Sequence, residues 1–165
     1  MFESAEIGHK IDKNTYKVEE PVLREALLDI QYELKEYGKF PVIILINGVD
    51  GAGKGETVNL LNEWMDPRLI STQAFGKCSD EERERPRMWR YWRALPANGR
   101  IGILFGSWYS DPIIGRVTGD LKTSELDHQI DEIVRFEKML AHDGVVLLKF
   151  WFHLSKEKQQ NRLKQ

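Results

Sequence analysis

Residues 40–61 read FPVIILINGVDGAGKGETVNLL, and this stretch decides the fold. From Phe40 to Asn47 the chain is apolar without polar alternation, so both faces should be buried, as in a central parallel strand. It runs at once into Gly48-Val49-Asp50-Gly51-Ala52-Gly53-Lys54. A helix is predicted from about Lys54 to Trp64, carrying Val58, Leu60, Leu61 and Trp64, with Asp66-Pro67 as its stop. Strand, glycine-rich loop and helix in that order make a phosphate grip. Backbone N–H groups converge at a helix N-terminus, and glycines let the backbone turn sharply and come close.

Within this Walker A-like loop, Gly48, Gly51 and Gly53 allow the turn, and Ala52, Gly55, Glu56 and Thr57 complete the candidate phosphate-binding set. Lys54 supplies a point charge for terminal phosphates. The usual loop places Ser or Thr directly after the lysine to hold magnesium; here that position is Gly55, and Thr57 sits further along. Asp50 is the candidate for holding magnesium or its water, and equally a turn-forming aspartate.

Outward from the loop, helices and strands alternate. An amphipathic helix is predicted from Pro21, with Leu23, Ala26, Leu27, Ile30 and Leu34 as its inner stripe and Gly38 as its end. Residues 1–17 are polar and aperiodic and read as an N-terminal arm; residues 18–165 read as one domain. Further strands are expected at Leu69–Phe75, Arg100–Phe105 and Val145–Leu154. Helices are expected after Pro86, over Ser124–Ala141, and from Ser155 onward. The last helix is cut off at Gln165, which predicts further chain. This pattern implies an α/β fold with a parallel central sheet and helices on both faces.

Ligands of open α/β sheets sit at the carboxyl ends of strands. That singles out Gly106-Ser107-Trp108-Tyr109-Ser110-Asp111 after the third strand, where Ser107, Tyr109 and Asp111 either face substrate or form a structural turn. Lys77, Arg83, Arg85, Arg87, Arg90 and Arg93 crowd one short region. Guanidinium forks suit phosphate oxygens. With Asp80, Glu81, Glu82 and Glu84 interleaved, Arg83 and Arg85 read as a solvated face, while Arg90 and Arg93 stay open as substrate-binding residues. Trp89 and Trp92 read as core rather than as a base-stacking platform.

Composition narrows the classes. The 165 residues, 41% hydrophobic and 30% charged, suit one globular domain. A formal net charge of -2 argues against a surface built for nucleic acid. Cys78 is the only cysteine, and His9, His128, His142 and His153 are scattered singly, so no zinc spacing exists. No basic stretch followed by an apolar one opens the chain, and the longest apolar run, Val42–Ile46, is too short for a membrane span. The expectation is a cytoplasmic protein without nucleic-acid or membrane partners.

The blocks GVDGAGKGETVNLL and RPRMWRYWRALPANGRIGILFGSWY resemble the polyphosphate kinase type 2 family, from roughly Phe40 to the end. Including the opening MFESAEIGHKIDK, the chain looks most like the N-terminal half of the two-domain polyphosphate:AMP phosphotransferases. The resemblance implies a P-loop kinase-like three-layer sandwich. It also implies transfer of a phosphoryl group from inorganic polyphosphate to AMP, giving ADP, with magnesium. A second kinase domain in a longer parent is implied too, and a homo-oligomer is left open. Carried over by position, Asp50 and Lys54 match the family's essential loop residues, Gly55 and Thr57 match its loop, and Arg116 matches an arginine downstream of its second motif. In that second motif the family typically has Asp-Arg or Asn-Arg, where this chain has Phe105-Gly106. Three readings therefore stand. The first is a polyphosphate-dependent nucleotide phosphotransferase with Asp50, Lys54 and Arg116 catalytic. The second is a degenerate phosphate-binding or partner domain. The third is an ATP-dependent nucleoside monophosphate kinase, weakened by Gly55.

Overall fold

The computed structural model describes Gly8 and residues 10–164. The expected arm lies partly outside this range. The described part of the chain runs α1 (Lys13–Tyr37), β1 (Val42–Gly48), α2 (Lys54–Trp64), β2 (Ile70–Ala74), α3 (Asp80–Arg83), α4 (Trp89–Trp92), β3 (Ile101–Phe105), α5 (Ser110–Thr118), α6 (Thr123–His142), β4 (Val146–Phe152) and α7 (Lys156–Leu163).

The strands form one all-parallel sheet in the order β2-β3-β1-β4. Side chains of β1 alternate between two cores, as the period of a strand requires. Ile43 and Leu45 join Leu104, Trp108, Ile133, Phe136 and Leu140 on one face. Ile44 and Ile46 join Leu34, Val58, Met65, Ile101 and Ile103 on the other. Thus α6 covers one side and α1 with α2 the other, giving the three layers of a P-loop kinase-like α/β fold.

Two expectations about α1 are corrected. The helix begins well before Pro21, because the Asp12 carboxylate accepts from the N–H groups of Asn14 and Thr15 and so nucleates the first turn. Residues 13–17 are therefore helical rather than arm, and Pro21 lies inside the helix. The inner stripe also differs. Leu34 is buried, but Leu23 and Ile30 are 52% and 60% exposed. The most deeply buried residue of α1 is Gln31. Its amide donates to Asp66 O (3.0 Å) and accepts from Asp66 N–H (2.7 Å), pinning α1 to the turn after α2. Arg68, and then Tyr32, also bond the Asp66 carboxylate and hold its pKa well below the usual range.

Candidate active site

The loop after β1 owes its shape to three glycines in left-handed conformation: Gly48 (φ 137°), Gly51 (φ 77°) and Gly53 (φ 93°). Gly53 caps α2 without any side-chain hydrogen bond, so the first N–H groups of that helix keep their capacity for an anion. Lys54 opens α2 and folds back over the loop. Its Nζ donates to Gly48 O (2.9 Å) and Val49 O (2.8 Å) and lies 3.4 Å from Asp50 Oδ1. The Thr57 hydroxyl donates to Gly53 O at 3.0 Å, one helical turn back.

Neighbouring strands β1 and β3 send their following helices to opposite faces of the sheet. This is the switch point at which a crevice opens. A cavity of about 420 Å³ occupies it, walled by Gly48 at the end of β1, Asp50 and Lys54 after it, Phe105 at the end of β3 with Gly106 just beyond, and Trp151 from β4. Asn47, at the end of β1, also lines it. The Asn47 amide oxygen accepts from the Ser107 hydroxyl at 3.1 Å and lies 3.5 Å from the Ser110 hydroxyl. Sequence reading passed over Asn47 as the tail of an apolar run.

Ser107 is fully buried, and its hydroxyl serves the loop: it accepts from Tyr109 N–H at 3.2 Å. Tyr109 turns toward α6 rather than toward the cavity. Its hydroxyl donates to Glu137 Oε1 (2.8 Å), which also accepts from the Trp108 indole (3.0 Å). Lys149 of β4 bonds Glu137 Oε2 at 2.7 Å. Burial, and then the bond to Glu137, push the Tyr109 phenol up. Desolvation alone would lower the Lys149 ammonium; its bonds to Glu137 and Tyr109 outweigh this and raise it. One carboxylate thus fixes the segment after β3. Glu137→Ala would strip the buried Trp108 indole of its acceptor and cost about 2 kcal/mol. Glu137→Gln, which keeps one acceptor oxygen, should cost about half of that. Urea midpoints measure both, and equal losses would refute the role of the shared oxygen.

The remaining candidates separate. Asp111 lies in the first turn of α5, exposed, and Arg116 is exposed further along the same helix. Neither lines the cavity. Arg90 is buried beside Phe75: its guanidinium donates to Gly76 O (3.1 Å) and Cys78 Sγ (2.9 Å) and pairs with Glu82 at 3.3 Å. With Arg93, Gln73 and Lys77 it lines a second, polar cavity of about 400 Å³, which shares Ala74, Phe75 and Gly76 with the first. Arg93 stacks over Trp89 at 4.8 Å. Arg83 pairs with Asp80, and Arg85 lies 4.0 Å from Glu81, as a solvated face would. At the tip of β3, Gly106 has φ 75°, and a Cβ there would lie 3.1 Å from Phe75 O.

Residues 10–165 match the family described as Polyphosphate kinase 2. The chain belongs to the polyphosphate kinase 2 family. It is 62% identical, over 164 residues, to a polyphosphate:AMP phosphotransferase of Pseudomonas aeruginosa, covering 99% of this chain and 33% of that protein. A crystal structure from Pseudomonas aeruginosa matches with a TM-score of 0.95 at 61% identity, covering 99% of this chain and 36% of that one. The polyphosphate kinase 2 of Arthrobacter aurescens matches with a TM-score of 0.88 at 28% identity, covering 96% of this chain and 57% of that one. The chain spans about a third of the length of the first curated relatives it matches. Among the described residues, no helix is long and apolar enough to cross a membrane.

Proposed function

We propose that this chain is a phosphotransferase domain that moves a phosphoryl group from inorganic polyphosphate to AMP, giving ADP. The observation that carries the reading is the uncapped loop–helix junction with Lys54 at its centre, facing the crevice between β1 and β3. Loop amides from Gly51 to Glu56 would cradle phosphate oxygens, and Lys54 would leave the loop carbonyls to neutralise the terminal groups. An oxygen of the AMP phosphate attacks the terminal phosphorus of the donor; the P–O–P bond breaks, and polyphosphate leaves one unit shorter. Arg90 and Arg93, across the shared wall, would meet the second substrate. The exposed Arg116 would reach substrate only by closing over the cavity.

Magnesium fits this rim. It keeps several waters and needs only one or two carboxylates beside substrate phosphates, and Asp50 offers one at the cavity wall. When bound, it would offset phosphate charge. Polyphosphate and AMP or ADP are the proposed partners, in a longer two-domain parent. The unpaired Cys78 agrees with a cytoplasmic setting.

One observation favours a second reading, a phosphate-binding partner domain. Where a phosphoryl-transfer site usually carries polar groups, the cavity wall holds Phe105 and Gly106. A coupled assay with magnesium, AMP and polyphosphate separates the two. ADP formation that depends on Lys54 is expected. Polyphosphate binding without ADP would establish the partner domain instead, and no binding at all would sink both.

A further inference from the structure

We propose that Arg162 and Gln159 of α7 are positioning residues for the phosphate loop; the inference rests on the polyphosphate reading above. Arg162 Nη1 donates to Gly51 O at 2.7 Å, and Gln159 Nε2 donates to Asp50 O at 3.1 Å. A trans peptide points its C=O and its N–H in opposite directions. Holding the Asp50 carbonyl toward α7 therefore turns the Gly51 N–H away from it. Holding the Gly51 carbonyl does the same to the Ala52 N–H. These are two of the amides that a phosphate would need.

The loop has little of its own to fix those planes. The Ala52 N–H reaches Val49 O only at 3.4 Å, and Gly51 sits at φ 77°, where glycine moves freely. A Cβ on Gly51 would lie 3.6 Å from Arg162 Cβ and 4.0 Å from Leu163 Cδ2, so α7 packs against the loop as well as bonding to it. The start of the helix is anchored. It follows β4, which pairs with β1 up to Gly48↔Phe152, and Ser155 caps it by accepting from Lys158 N–H. Without these two donors the peptides after Asp50 and Gly51 can flip. A loop that is competent for only part of the time binds more weakly by that fraction.

Titration calorimetry with tripolyphosphate tests this on the intact protein. Arg162→Ala should weaken binding about fivefold, the worth of one ordinary hydrogen bond. Arg162→Lys should recover part of the loss, and adding Gln159→Ala to Arg162→Ala should deepen it. The urea midpoint of Arg162→Ala should fall by no more than the loss of one exposed hydrogen bond allows. The Gly51 and Ala52 amide resonances of the free Arg162→Ala protein should broaden or shift. Unchanged affinity in Arg162→Ala, beside lost binding in Lys54→Ala, overturns the positioning role and leaves the phosphate reading standing. A loss of affinity with the Gly51 and Ala52 amide resonances of the free protein unmoved also overturns it, because Arg162 would then act on the phosphate and not on the loop. If Lys54→Ala binds normally, the underlying reading falls first.

Discussion

Lys54→Ala should lower the affinity for tripolyphosphate about 100-fold, the largest functional effect of any single change in this chain. Among the described residues, the Lys54 ammonium has only loop partners, Gly48 O and Val49 O at 2.9 and 2.8 Å, with Asp50 beyond them. Exchanging neutral carbonyls for phosphate oxygens converts ordinary hydrogen bonds into charge-assisted ones, each worth about 1.5–3 kcal/mol. The change should leave the fold almost untouched, since Gly48 lines the open crevice and Val49 is only partly buried, so water can replace the ammonium. Titration calorimetry gives the affinity, and a loss smaller than about threefold would mean that the loop holds phosphate without its lysine.

Gly48→Ala should instead break the structure, costing about 3 kcal/mol or more through forced backbone movement. Gly48 ends β1 at φ 137°, and an added Cβ would lie 2.0 Å from Phe152 O and 2.6 Å from Phe152 N. Those are backbone atoms of the neighbouring strand, so no rotamer change relieves the clash. The strands must separate, and the Val49 N–H bond to Phe152 O (3.0 Å) is lost with them. A urea midpoint close to wild type would show that the end of β4 yields easily.

What could be read in advance follows from the range of each interaction. The bounds of α2 and the burial of β1 rest on local signals, periodicity and glycine placement, and both appear as expected. The stripe of α1 did not follow its periodicity, because burial there is set by Asp66, far along the chain, which recruits Gln31 in place of an apolar neighbour. The early start of α1 went unseen because proline is favoured in a first helical turn and costly within a helix, so Pro21 reads as a start. The helix α5 was legible but missed: Pro112 stands in its first turn, and Gly119, at φ 84°, closes it in the left-handed form. The loop contacts of Gln159 and Arg162 join residues more than a hundred positions apart, beyond any local pattern.

Gly106 makes the end of β3 selective about its side chains. Its backbone lies in a region that suits glycine, with the Phe75 carbonyl against the place where a side chain would start. Placing a polar pair at 105–106 is then more than an exchange of two side chains. Any side chain at 106 starts from a left-handed backbone and asks the Phe75 carbonyl to give by a few tenths of an ångström, so the turn itself selects what the end of β3 can carry.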